Sequence, residues 1–203
     1  MSAASSSHDA ERDSTASTAE ASARLFFALW PDDAVRSSLA RYAAAAHAVA
    51  GGRTMRADAV HLTLAFLGDT PVARLPALVD AASRVVARPF TLVLDLAASW
   101  KHNRIVWVGA STVPAALTLM VAELRSAIAA AGFRFDPKPF VVHATLIRNA
   151  APSGPLPDLA PIEWQGDGFV LVRSTLGARG SRYEVVGEWR SGKEPTRAGR
   201  GAP

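Results

Sequence analysis

HLTLAFLGDT, residues 61–70, sets a histidine and a threonine two apart inside an otherwise apolar run. HATLIRNA, residues 143–150, does the same 82 positions later. From this composition, chance yields about 0.03 copies of H-x-T-L per chain. Two copies therefore ask for a common cause. Strand side chains alternate between faces. In the first run Val60, Leu62, Leu64 and Phe66 take one face, and His61, Thr63 and Ala65 the other. In the second, Val142, Ala144 and Leu146 oppose His143, Thr145 and Ile147. Each run offers one apolar face to a core and a histidine with a hydroxyl on the other.

The flanks repeat as well. RLFFALW (24–30) reads as a strand, and Pro31, Asp32 and Asp33 open a helix that runs to about Val49 and stops at Gly51-Gly52. From Arg104 an arginine and a short apolar strand again precede a helix, with Pro114 near its start and Gly132 at its end. Arg24 to His61 spans 37 residues and Arg104 to His143 spans 39. A repeated strand–helix–strand carrying one tetrapeptide at one place indicates duplication. PVARLPALVDAASRVVARP (71–89) reads as a helix and FTLVLDLAA (90–98) as a strand. After the Pro/Gly-rich loop 149–161 come strands GFVLVRSTL (168–176) and YEVVGEW (183–189). The expected fold is α+β: two pseudo-symmetric lobes of antiparallel sheet with helices on the outer side and a cleft between them.

Composition bounds the chemistry. The 203 residues are 49% apolar and 20% charged, enough for a real core. With no cysteine, disulfides, thiolate metal sites and a cysteine nucleophile are excluded. Residues 1–23 are small and polar and read as a disordered tail, 24–189 as one bilobal domain, and 190–203 as a flexible C-terminal tail. The front tail carries −3 and residues 190–203 carry +3, so the middle keeps the whole net +4. That modest excess suits a polyanionic ligand or a solvated surface. No apolar run reaches membrane-spanning length, and a cytoplasmic monomer is expected.

If both polar faces meet in one cleft, two imidazoles flank one small space. Histidine titrates near neutral pH, so one can accept a proton while the other donates. Threonine hydroxyls and a nearby cation would hold the oxygens where charge gathers. A metal site needs three or more clustered ligands, and no carboxylate or further histidine sits beside either motif at ligand spacing. No P-loop, G-x-G-x-x-G or G-x-S-x-G is present. The alternative is two core histidines, each bonded to a threonine. Arg148, near the end of the second strand and assigned to its cleft face, reads as a phosphate or ribose clamp, or as a solvated strand-end charge. Arg56 in RTMRADAV reads as cleft lining, and Lys138 more weakly so. Trp30, Trp107 and Trp189 read as core; Trp100, Phe26 and Tyr183 also read first as buried, with stacking on a base at the rim as the alternative.

These motifs resemble the two-histidine phosphoesterase superfamily. RLFFALWPDDAVRSSL, HLTLAFLGDT, HATLIR and the closing STLGARGSRYEVVGEW more narrowly resemble the bacterial RNA 2',3'-cyclic phosphodiesterases, also named 2'-5' RNA ligases, over residues 24–189. The resemblance implies metal-independent opening of a 2',3'-cyclic phosphate on RNA ends or small nucleotides, leaving a 2'-phosphate, with no cofactor. It implies His61 as proton donor to the leaving 3'-oxygen, His143 as the base, and Thr63 and Thr145 on phosphate oxygens. The two motifs by themselves do not say which histidine plays which part. Ligation of 2'-5' RNA ends, hydrolysis of small cyclic nucleotides or 2'-5' oligonucleotides, and an RNA-end binding module are the alternatives. Two departures stand out: Val142 where the family often has proline before the second histidine, and Arg173 where it often has glutamate before Ser174.

Overall fold

The computed structural model describes residues 21–177 and 180–196. Ten strands and three α-helices follow in the order β1 (Ser22–Leu29), α1 (Asp33–Ala50), β2 (Arg53–Thr54), β3 (Leu62–Pro71), α2 (Leu75–Ala82), β4 (Phe90–Leu94), β5 (Leu96–Trp100), β6 (Ile105–Gly109), α3 (Ala115–Ala130), β7 (His143–Arg148), β8 (Ile162–Gly166), β9 (Gly168–Gly177) and β10 (Gly180–Arg190).

The helices form where the sequence marks them. The Asp32 carboxylate caps α1 by accepting the Val35 amide at 2.8 Å. Val35, Leu39, Tyr42, Ala43, Ala46 and Ala50 make its buried stripe. Gly51 ends it at φ 56°, a conformation side chains disfavour. Pro114 leads into α3, which buries Leu117, Met120, Val121, Leu124 and Ile128.

One antiparallel sheet runs β10-β9-β1-β3-β7-β6-β5, with β2 added against β7, and β4 pairs with β8 in a second small sheet. The long sheet is two half-sheets. β1 and β3 share eight pairs and β6 and β7 share five, while β3 and β7 meet only at Leu62 and Ala144. The expected bilobal α+β architecture is therefore present, with an interlock that contiguous halves would lack. β9 returns to flank β1, β8 returns to β4, α1 packs on β7 and β8, and α3 packs on β3. Each half is closed by elements from the other.

Several local expectations change. The helix expected over 71–89 is one short 3₁₀ turn followed by α2, which ends at Ala82. FTLVLDLAA is two strands in different sheets, broken at Asp95, whose carboxylate takes the Ser111 amide at 2.7 Å. β8 lies within IEWQG, and β2 in a stretch without strand signal. The front tail expected over 1–23 overlaps β1, which starts at Ser22. At the other end Arg190 closes β10, and Thr196 pairs with Glu188 through two backbone bonds of 3.0 Å. The remainder of both expected tails lies outside the described residues.

Strict alternation also fails inside both motifs, at the same place in each. Ala28 pairs with Thr63 and Phe27 with Ala65, which leaves Leu64 as an extra residue in β3. Trp107 pairs with Thr145 and Val106 with Ile147, which leaves Leu146 extra in β7. These are β-bulges on the leucine of each H-x-T-L. Leu64 with Ala65, and Leu146 with Ile147, are buried as adjacent pairs. Beyond the bulge the faces exchange, so Phe66 moves to the cleft and Ala65 and Ile147 to the core, opposite to the alternating assignment.

Gly52 sets the approach of β2 to β7. It has φ 81°, and a β-carbon there would lie 2.5 Å from the Arg148 carbonyl oxygen. Gly51 has open space around it. Gly51→Ala is expected to cost only the conformational strain, about 1–3 kcal/mol. Gly52→Ala adds a backbone clash and should exceed Gly51→Ala by about 2 kcal/mol or more in urea unfolding. Equal costs would contradict the packed β2–β7 junction.

Candidate active site

Leu62 and Ala144 are fully buried, so the residues flanking them point to the opposite face. Continuing the Leu62–Ala144 register by one residue sets His61 across from Thr145, and Thr63 across from His143. The two histidines are then diagonal neighbours, a spacing of about 7–8 Å that leaves room for one tetrahedral anion. His61, Thr63, His143, Thr145 and Arg148 do line one small pocket of about 120 Å³, with Met55 and Ala59 as its remaining wall. Two core histidines would each face a separate interior; these face a shared one.

Arg148 reaches this pocket because of the bulge. It lies five residues after His143, an odd step that simple alternation sends to the core face, and the extra residue at Leu146 returns it to the cleft. Phe66 stands five residues after His61 and turns inward for the same reason, so the duplicated site carries an arginine on one side and a phenyl ring on the other.

Both imidazoles are anchored alike. Nδ1 of His61 lies 2.8 Å from the Ala59 carbonyl, and Nδ1 of His143 lies 2.9 Å from the Val141 carbonyl. A carbonyl only accepts, so Nδ1 carries the proton in each. Among the described residues Nε2 of each ring has no hydrogen-bond partner, so it can take or give a proton.

Their surroundings differ. His61 stacks on Phe26 at 4.7 Å between ring centroids, lies parallel to Trp30 at 5.5 Å, and meets the edge of Tyr183 at 5.1 Å. His143 has Trp100 at 4.8 Å and Trp107 at 6.4 Å. Burial pushes the His61 pKa down to about 4 from 6.5; the Ala59 carbonyl partly offsets this, and Arg148 and His143 add repulsion. Trp30 and Trp107, expected in the core, are half-buried walls of the two histidine boxes, whereas Trp189 is core at 3% exposure. Trp107 falls on the cleft face because it pairs with Thr145.

Arg56 is not in the small pocket. It lines an adjoining cleft of about 490 Å³, and its guanidinium holds Asp58 at 2.9 and 2.8 Å. In RTMR it is Arg53, not Arg56, that pairs with β7, opposite Arg148; no periodicity marks a two-residue strand. Lys138 is tied to Asp136 at 3.0 Å. Arg173 bonds Glu184 and pairs with core-facing Leu25, so its charge is not part of the cleft that Ser174 lines. Among the described residues no three histidine or carboxylate groups cluster as a metal site, and no helix is long and apolar enough to cross a membrane.

The chain is similar to known proteins over most of its length. The family model of LigT-like phosphoesterases matches residues 29–107. The RNA 2',3'-cyclic phosphodiesterase of Escherichia coli K12 is 33% identical over 168 residues, covering 82% of this chain and 95% of that protein. The enzyme of the same name from Thermus thermophilus is 31% identical over 174 residues, 80% of this chain and 87% of its own. Among solved structures, E. coli LigT in apo form superposes with a TM-score of 0.76 at 31% identity, over 85% of this chain and 99% of that one. LigT complexed with 3'-AMP matches equally, at 0.76 and 31%, over 85% of this chain and all of that one.

The burial of His61 yields a titration test. A folded-state pKa below the unfolded value means that the unfolded chain binds the proton first as pH falls. Stability is therefore expected to drop between pH 6.5 and about 4. An anion in the pocket favours the charged ring and raises the pKa. In NMR the His61 ring should titrate near pH 4 in the free protein and move upward with added inorganic phosphate, which should bind more tightly as pH falls. A free-protein midpoint near 6.5 would refute the buried-box description.

Proposed function

We infer the reaction from one premise: the chain belongs to the RNA 2',3'-cyclic phosphodiesterase family. It is a phosphoric diester hydrolase that opens 2',3'-cyclic phosphate at RNA ends. The catalytic unit proposed is the bilobal domain of residues 24–189, a single chain supplying both histidines, and the product is a 2'-phosphate end.

In the mechanism proposed, water attacks phosphorus in line with the 3'-oxygen. Nε2 of His143 takes a proton from the water as the new P–O bond forms. Nε2–H of His61 gives its proton to the 3'-oxygen as the P–O3' bond breaks, and P–O2' stays intact. Solvent then resets both rings. Nδ1–H bonds to Ala59 and Val141 turn Nε2 of each ring to the phosphate, so neutral His143 can accept a proton there and His61 donates as the imidazolium. The Thr63 and Thr145 hydroxyls and the Arg148 guanidinium are proposed to hold the non-bridging oxygens, where charge builds. Arg56 is proposed as an outer substrate contact, since Asp58 already occupies its fork.

Which ring donates follows from the family resemblance, and the burial of His61 adds a condition. A ring with a pKa near 4 is neutral in the free enzyme at neutral pH, so it becomes a donor only when the anionic substrate arrives. The two imidazoles have all the proton-transfer capacity that the step needs, and we propose that it runs without a metal ion.

The observation that carries this reading is the convergence of His61, Thr63, His143, Thr145 and Arg148 on one pocket. The test is cleavage of an RNA oligonucleotide ending in 2',3'-cyclic phosphate, with chelator present. His61→Ala and His143→Ala should each lose about a hundredfold or more in kcat. Thr63→Val and Thr145→Val should each lose about tenfold, the worth of one hydrogen bond to a charged group. Full activity in either histidine variant would exclude the mechanism.

A further inference from the structure

We propose that the arginine-lined arm of the cleft is a subsite for the internucleotide phosphate next to the reacting one, held chiefly by Arg53. It would select an RNA strand end over a mononucleoside cyclic phosphate. The proposal rests on the histidine pocket being the hydrolytic site.

The motivating feature is an electrostatic anomaly. Arg53 of β2 and Arg148 of β7 are direct antiparallel partners. Like charges directly opposite each other destabilise a strand pair. Neither forms a salt bridge among the described residues, although Arg36, Arg56, Arg88, Arg173 and Arg190 all do. Arg24, on the facing half-sheet, makes no salt bridge with its cross-strand neighbour Asp69; its guanidinium lies 4.9 Å from the Phe66 ring centroid.

These side chains share one space. The cleft of about 490 Å³ has Arg24, Arg53, Arg56 and Arg148 in its wall together with His61 and Thr63, and no carboxylate among its lining residues. Among the described residues no Asp or Glu lines it, and the charge partner beside it is Asp58, which holds Arg56. An anion lying between or beside Arg53 and Arg148 would be attracted by both.

Topology gives the two arginines different tasks. Arg148 lines both the small histidine pocket and the larger cleft, whereas Arg53 lines the larger cleft alone. Arg53 also reaches toward the opposite half-sheet, its Nη1 3.5 Å from where a β-carbon on Gly180 would sit. A phosphate in the histidine pocket meets Arg148, and the next phosphate along the strand meets Arg53 at the mouth. A mononucleotide has no second phosphate and gains nothing from Arg53.

The experiment compares uridine 2',3'-cyclic phosphate with a 5'-hydroxyl uridine trinucleotide ending in 2',3'-cyclic phosphate, measuring kcat/KM over a range of KCl. The wild type should prefer the trinucleotide by about tenfold or more at low salt, with the steeper salt dependence. Arg53→Gln should lower the trinucleotide-to-mononucleotide ratio about tenfold and reduce the trinucleotide's salt slope by about 0.7, the share of one single-strand phosphate contact. Its Tm should hold or rise, because a repulsion has been removed. A ratio unchanged in Arg53→Gln, or equal losses on both substrates, would overturn the subsite. If the wild type opened neither substrate, the hydrolase reading would fail instead. Fluorescence-anisotropy binding of a trinucleotide 2'-phosphate to wild type and Arg53→Gln would then still score the subsite, with equal affinities counting against it.

Discussion

The single pair of Leu62 with Ala144 is the constraint on which the site depends. Two half-sheets with extensive ladders of their own touch through one residue from each. Both residues are buried to zero exposure, so the register at the seam is fixed by the core beneath it. A slip of one residue would turn both histidines into that core. The cleft exists because the strands part on either side of this contact, and the four motif side chains crown it as an alternating square of imidazole and hydroxyl.

The leucine that completes each motif has its own task. As the bulge residue it sends two consecutive apolar side chains into the core and exchanges the faces beyond. The carbonyls freed at the two bulges find different donors. Leu64 accepts from the Arg125 side chain at 3.1 Å, and Leu146 accepts from the Met55 amide at 2.7 Å. The duplicated element thus sits in unlike surroundings. His61 is enclosed by Phe26, Trp30 and Tyr183, while His143 stands beside Trp100 and Trp107. Near-identical tetrapeptides therefore sit in unlike boxes, and burial holds the His61 ring neutral in the free protein.

Around that pair the protein concentrates positive charge where the backbone comes together. Arg53 and Arg148 face each other across strands, and Arg24 stands over Phe66 on the opposite wall. This arrangement favours polyanion binding, which links the modest net charge of +4 to a place rather than to the surface at large.

The duplicated H-x-T-L, the strand–helix–strand repeat and the helix limits at Asp32, Gly51 and Pro114 were legible in the chain alone, since each is a local pattern of periodicity, capping or spacing. They determined the fold class and named both histidines and both threonines. The bulges were not legible, because an extra residue is defined only against the partner strand's count; hence Phe66, Ala65 and Ile147 were assigned to the wrong faces. Arg53, rather than Arg56, joins Arg148 through a strand of two residues that propensity does not mark. Trp30 and Trp107 became walls of the histidine boxes through partners distant in sequence. Tertiary structure decided which side chains share the cleft, and with it the inequality of the two histidines, because strand pairing and desolvation are set by non-local neighbours.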